Sequence, residues 1–227
     1  AKTQGARAIS YLVAEALDRS HRETDEAGRK VAAERAAILT PVAKAYATDI
    51  GIDVASTGVQ VHGGMGFVEE TGAAQQYRDI RIAPIYEGTN GIQAADLVGR
   101  KLGLEGGETL RRLLGEIRAE ADGPLLELTA VVENVVRRLT AMGPEDRLAG
   151  SYPFLTLLST LVCGWLMKRQ LSAVESDGIA ENHHFETTKR AACLYYLEHV
   201  VPEAAGLAAQ ATAGAGLLYP GEELFPG

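Results

Sequence analysis

Phe154-Leu155-Thr156-Leu157-Leu158-Ser159-Thr160-Leu161-Val162-Cys163-Gly164-Trp165 sets Phe154, Leu157, Leu158, Leu161, Val162 and Trp165 at helical offsets. Spacings of three and four put six large apolar side chains on one face of an α-helix, where a strand would alternate. The rhythm continues outward from this stretch. Leu125, Leu128, Val131, Val132, Val135 and Leu139 form an upstream stripe, and Leu110, Leu113, Leu114 and Ile117 another. Downstream, helical spacing runs from about Glu186 through Leu194 and Val201 toward Ala215, with Pro202 expected to kink it. A polar loop is expected over 175–182.

The first hundred residues follow the same period with more punctuation. Ala6, Ile9, Leu12, Val13, Ala16 and Leu17 mark a helix over 3–22. A polar stretch, 21–30, precedes a second helix over 31–39. Thr40-Pro41 reads as a cap with proline at the first helical position, starting a third helix toward Val61. Gly51 and Gly58 inside it are expected at close helix contacts. Gly63-Gly64-Met65-Gly66 ends it. A shorter helix is expected over 71–80, an extended segment at 81–86 around Pro84, and a helix capped by Thr89-Asn90 running through Leu102. No strand, internal repeat or low-complexity tract stands out. The expectation is an all-α chain: a helical bundle over 1–103 and a second helical-bundle extension over 104–227.

Composition narrows the classes. At 227 residues and 46% hydrophobic content the chain can bury a large core. A net charge of −8, with basic runs no longer than Arg111-Arg112 or Arg137-Arg138, argues against nucleic acid and anionic membranes. No apolar stretch reaches transmembrane length and no secretory signal is seen. Cys163 and Cys193 lack metal spacing and read as free core thiols in a reducing, cytoplasmic compartment. The opening Ala1-Lys2-Thr3, already in helical rhythm, reads as a piece of a longer protein.

The segment with most chemistry is Ile85-Tyr86-Glu87-Gly88-Thr89-Asn90-Gly91-Ile92-Gln93. It sets one carboxylate, Glu87, on a turn before a helix start, where it can serve as a base. The dipole of the following helix favours its charged form by about 0.3–1 kcal/mol. Burial under an apolar ligand opposes that and can shift a pKa by several units, so burial decides its basicity. An acid near a helix start can also simply complement the dipole, and these residues alone favour that structural role. Gln60-Val61-His62-Gly63-Gly64-Met65-Gly66 offers bare backbone N–H groups that can cradle phosphate oxygens, or merely a helix C-cap. It is no dinucleotide fingerprint, since no strand precedes it. Glu181-Asn182-His183-His184-Phe185-Glu186 lacks further ligands at metal spacing and reads as a loop entering a helix, so no metal site is expected.

Taken together, Gly58-Val59-Gln60-Val61-His62-Gly63-Gly64-Met65-Gly66-Phe67, Tyr77-Arg78-Asp79 and the Glu87 segment resemble, in order and spacing, the carboxyl-terminal part of the acyl-CoA dehydrogenases. The resemblance covers about 3–103. The remainder is similar to the extra helical domain of the longer subgroup, as does the flavour of Asp96-Leu97-Val98-Gly99-Arg100-Lys101.

The resemblance implies that Glu87 removes the α-proton of an acyl-CoA thioester while the β-hydrogen leaves as hydride to FAD, giving a trans-2-enoyl-CoA. It implies that the Glu87 backbone N–H helps hold the thioester oxygen and that Gly88 allows the substrate close approach. Gln60, Val61, His62, Gly63 and Gly64 match the stretch reaching the FAD of a neighbouring subunit, and Thr89 and Asn90 match flavin contacts. Arg78 is assigned to structure. Implied partners are an electron-transfer flavoprotein or similar acceptor and further copies, as homodimer or homotetramer. The family's amino-terminal helical and middle β domains, and a first helix bearing an FAD-contacting arginine, have no counterpart in the residues given, so the chain alone is expected to be inactive. Two rivals are an oligomerisation module with a relict motif and a metal-binding four-helix protein, though the latter's Glu-x-x-His pattern is missing. The extension is expected to pack on the first half or on a partner, or to limit acyl length.

Overall fold

The computed structural model describes residues 1–177, 183–216 and Leu218. Among them are twelve α-helices and no strand: α1 Lys2–Arg22, α2 Glu26–Val61, α3 Gly64–Phe67, α4 Ala73–Ile80, α5 Asn90–Gly99, α6 Glu108–Glu120, α7 Gly123–Ala141, α8 Pro144–Ala149, α9 Ser151–Asp177, α10 His183–Tyr195, α11 Val201–Ala204 and α12 Leu207–Ala211.

The stretch 154–165 lies in α9, the axis of the molecule. Along α9, Leu155, Cys163 and Met167 are as fully buried as the stripe itself. A helix apolar on every side belongs in the middle of a bundle. Accordingly α1, α2, α5, α7, α10 and α12 all pack on it. Its buried hydroxyls are satisfied within the helix: Ser159 donates to the Leu155 carbonyl at 2.7 Å and Thr160 to Thr156 at 2.9 Å. Trp165 Nε1 donates to Glu120 at 2.8 Å, and the guanidiniums of Arg35 and Arg169 lie 5.7 and 5.2 Å from its ring centre. One apolar cluster therefore runs from Ile9 on α1 to Ala211 on α12, across residue 103. Cys163 and Cys193 are free and buried.

Several boundaries differ from expectation for local reasons. Asp25 caps α2, accepting from the Gly28 N–H at 2.9 Å, so the helix starts before the expected 31. Thr40-Pro41 does not start a helix: Pro41 lies inside continuous α2. An interior proline costs about 3 kcal/mol, but Ile38, Leu39, Val42, Ala45 and Tyr46 are buried around it. At roughly 1.5–3 kcal/mol per buried large side chain, that face outweighs the lost bond. Gly51 does mark a close contact, since a Cβ there would lie 2.9 Å from Ile80 Cδ1, whereas Gly58 faces open space.

The segment 81–86 is not extended. It is a succession of tight turns closed by Ala83 N–H to Ile80 O and Tyr86 N–H to Ile82 O, at 3.0 and 3.1 Å. The helix expected from 71 begins at Ala73, after a 3-10 turn over Glu69–Thr71. The helix expected through Leu102 ends at Gly99, and Leu102 is buried from the 3-10 segment Lys101–Gly107. Near the end, the foreseen break at Pro202 is a π-helical turn, Tyr196–Val200, leading into α11. The expected polar loop is helical up to Asp177, and 178–182 lie outside the described residues. No helix among the described residues is long and apolar enough to cross a membrane.

Candidate active site

Glu87 stands on a strained turn. Its φ is 56° and that of Gly88 is 82°, two successive residues in left-handed backbone. For a glutamate this costs on the order of 1–3 kcal/mol and persists only where the surroundings impose it. They do so here. The Gln93 side-chain amide donates to the Glu87 carbonyl at 3.3 Å. The Lys44 ammonium donates to the Gly88 carbonyl at 2.8 Å. Thr89 caps α5, its hydroxyl accepting from the Ile92 N–H at 3.2 Å.

Beneath the turn, Asn90 is 3% exposed and fully bonded. Its Oδ1 accepts from Lys44 at 2.8 Å. Its Nδ2 donates to the Ala45 carbonyl at 3.2 Å, to Thr48 Oγ1 at 2.9 Å and to Asp49 Oδ1 at 2.8 Å. The other oxygen of Asp49 accepts from the Tyr152 hydroxyl at 2.6 Å, and burial followed by this bond pushes the phenol up to about 12. Tyr152 belongs to the first turn of α9, in the carboxyl-terminal half. The turn is thus tied through α2 to both halves.

The Glu87 side chain itself is exposed, and the cleft lined by Tyr46, Asp49 and Asp53 on α2 does not include it. Its backbone N–H has no hydrogen-bond partner among the described residues. Ile82, Ile85, Tyr86 and Ile92, all more than half exposed, surround the turn with apolar side chains. The strained acid thus sits amid exposed apolar side chains.

The second motif lies elsewhere on α2. Gln60 and Val61 are exposed in its last turn, and His62 caps it through Nδ1, 2.8 Å from the Gly58 carbonyl. Gly63, at φ 61°, turns the chain, and neither it nor Gly64 has any atom within 4 Å of where a Cβ would stand. A Cβ on Gly66 would lie 2.2 Å from the Val59 carbonyl oxygen, so the close return of the bend requires glycine there. Val61 stands seventeen residues after Lys44 on α2. At 1.5 Å per residue, the Glu87 turn and the glycine bend are anchored about 25 Å apart along one helix. Glu87, Gly88, Thr89 and Asn90 come together; Gln60, Val61, His62, Gly63 and Gly64 form a separate exposed group. Arg78 pairs with Glu69 through two bonds of 2.8 and 2.7 Å, a structural fork. Among the described residues no three His, Cys, Asp or Glu side chains group to hold a metal.

Lys44, Asp49 and Tyr152 were not singled out in the sequence. Lys44, Thr48 and Asp49 do share one face of α2 amid buried Val42, Ala45 and Tyr46, and polar side chains at spacing four on a buried helix face signal a network. Tyr152 carries no such local signal.

Comparison with known proteins identifies the assembly. Residues 1–102 match the model of the acyl-CoA dehydrogenase C-terminal domain, and residues 94–219 match that of the acetyl-CoA dehydrogenase C-terminal-like domain. The chain is 40% identical over 194 residues to the 3-methylmercaptopropionyl-CoA dehydrogenase of Ruegeria pomeroyi, covering 78% of this chain and 33% of that protein. In fold it is similar to the Caenorhabditis elegans ACDH-11 crystallised with C11-CoA (TM-score 0.67, 20% identity, 96% of this chain and 38% of that one). It is likewise similar to a Bacillus anthracis acyl-CoA dehydrogenase complexed with FAD (TM-score 0.59, 21% identity, 92% and 41%). The chain spans about a third of the length of the curated relatives it matches. It belongs to the acyl-CoA dehydrogenase family, of whose carboxyl-terminal portion it carries two consecutive helical modules.

Proposed function

We propose that this chain is the carboxyl-terminal part of an FAD-dependent acyl-CoA dehydrogenase and that Glu87 is its catalytic base. The observation that carries the reading is the Glu87 turn: a strained, exposed carboxylate in a family that dehydrogenates acyl-CoA, with its own N–H unbonded. The carboxylate takes the α-proton of the thioester, breaking the C–H bond and leaving the electron pair on the α-carbon. The Glu87 N–H, donating to the thioester oxygen, stabilises the charge that develops there. FAD, when bound, supplies the acceptor for the β-hydrogen as hydride, which completes the double bond. Gly88, without a side chain, leaves room for the thioester beside the base.

The residues present fit the cofactor in part. The open backbone at Gly63 and Gly64 suits a diphosphate or adenine edge, with Gln60, Val61 and His62 beside it. Thr89 offers an exposed flank, while buried Asn90 supports the turn from below, its backbone N–H bonded to the Pro84 carbonyl at 3.0 Å. One protomer's Glu87 turn and glycine bend, about 25 Å apart along α2, serve different cofactor molecules in this reading, which calls for a homodimer or homotetramer. The exposed apolar rim of the turn is one wall of a dry crevice whose other wall lies in further domains of a longer protein. Turnover then needs those domains, and the chain by itself is inactive. The division near residue 103, an electron-transfer flavoprotein as acceptor and a cytoplasmic location, favoured by two buried free thiols, belong to the same proposal.

A substrate screen on the full-length FAD protein with an artificial electron acceptor tests it. Dye reduction by at least one acyl-CoA supports the reading, and no turnover with FAD fully bound overturns it.

A further inference from the structure

We infer that Lys44 is a positioning residue for Glu87, and that Tyr152 extends the same frame into the carboxyl-terminal half; this rests on Glu87 being the base. Lys44 is half-buried in the middle of α2. Among the described residues no carboxylate lies within ion-pair distance of its ammonium. A partly buried charge without a counter-charge is costly unless its donors are used. Here two of them meet the Gly88 carbonyl and Asn90 Oδ1, each at 2.8 Å. Both acceptors belong to the turn that carries Glu87.

The geometry explains the need. The two left-handed residues are strained, and Glu87 would relax to ordinary backbone if the turn were released. Such a change re-aims the carboxylate without removing it. The Gly88 carbonyl is the atom next to the strained pair, and Lys44 holds it against a rigid helix. Asn90 fixes the other end of the turn. From Asn90 the hydrogen bonds pass through both oxygens of Asp49 to the Tyr152 hydroxyl on α9. The carboxyl-terminal half therefore helps aim the base, although no residue of it lies on the turn.

The test uses full-length FAD protein under anaerobic stopped flow, following flavin bleaching by its acyl-CoA substrate. Three variants are compared with wild type: Glu87→Gln, Lys44→Met and Lys44→Arg. A base misplaced by an ångström loses about a hundredfold in rate. Lys44→Met is thus expected to slow flavin reduction by about tenfold to a hundredfold, with FAD content and acyl-CoA Kd unchanged. Lys44→Arg, which can still reach both acceptors, is expected to recover most of that loss. A purely structural lysine would instead lower Tm or FAD content and leave the reduction rate of the bound flavin alone.

If Glu87→Gln reduces flavin as fast as wild type, the base assignment itself fails. If Glu87→Gln is dead while Lys44→Met reduces flavin within about threefold of wild type, the base stands and the positioning role is overturned. Should Lys44→Met not fold, Lys44→Gln is judged by the same rate criterion. For the extension, Tyr152→Phe is expected to slow reduction measurably at unchanged Kd, and an unchanged rate removes Tyr152 from the frame.

Discussion

Replacing Asn90 with aspartate changes one NH₂ to one oxygen and nothing in shape, and it is expected to damage this fold out of proportion to its size. The wild-type amide donates to Ala45 O, Thr48 Oγ1 and Asp49 Oδ1 while accepting from Lys44. In Asn90→Asp the acceptor side survives. Asp49 Oδ1 loses its donor and faces a new oxygen, while the Ala45 carbonyl keeps the bond from the Thr48 hydroxyl at 3.0 Å. The new charge is repelled by Asp49 and attracted by Lys44. At an effective dielectric of about 20, each such term near contact is about 4 kcal/mol and the two have opposite sign. The lost donor to Asp49 therefore decides, at about 1–3 kcal/mol for an acceptor left unpaired.

The expected loss is about 1–3 kcal/mol, which for a protein of this size lowers Tm by roughly 2–12 °C. Scanning calorimetry at pH 7 and pH 5 measures it. Asp49 and Lys44 act on the pKa of the introduced carboxyl in opposite directions, and burial raises it. A group raised in the folded state is most harmful above that pKa, so the gap to wild type should narrow at pH 5, when the carboxyl regains a donor proton. An unchanged Tm at pH 7, or a gap that widens in acid, refutes this account of the network.

Two further consequences follow from the same geometry. Tyr152 titrates at about 12 against an ordinary 10, so the folded state favours its protonated form; that advantage is complete below pH 10 and fades up to pH 12, and the Tm difference between wild type and Tyr152→Phe should shrink over that window. Gly66→Ala drives a Cβ against the Val59 carbonyl oxygen, a backbone atom that no rotamer can move, and should cost about 1–3 kcal/mol by urea denaturation. Gly64→Ala, which meets no atom, is the control; equal losses in both would mean that the bend is not packed as described.

The helices were legible where burial is one-sided. The Leu110–Ile117 and Leu125–Leu139 stripes became α6 and α7, because a periodic apolar face has one stable place. Pro41 was misread because local rules treat an interior proline as a start, while its cost was outweighed by long-range packing that a sequence window does not contain. The 81–86 turns were misread because the residue before a proline favours extended backbone, yet Ile82 and Pro84 carbonyls here close the turns on Tyr86 and Asn90.

At the candidate site, the motif drew attention to Glu87, but its left-handed backbone and the Lys44 bond to the turn were not legible. Lys44 and Tyr152 stand 44 and 62 residues from Gly88 and Asn90, and only the folded chain brings them into one network. Burial of Glu87 under a ligand was likewise not legible, since in the folded chain Glu87 is exposed.

Abstraction of a proton by Glu87 can be observed apart from any oxidation. Full-length protein is mixed with its acyl-CoA in deuterium oxide, and loss of the α-proton signal is followed by NMR. The account predicts wash-out of the α-protons by wild type, with Glu87→Gln no faster than buffer although it binds FAD and acyl-CoA. Wash-out by Glu87→Gln at the wild-type rate would contradict it.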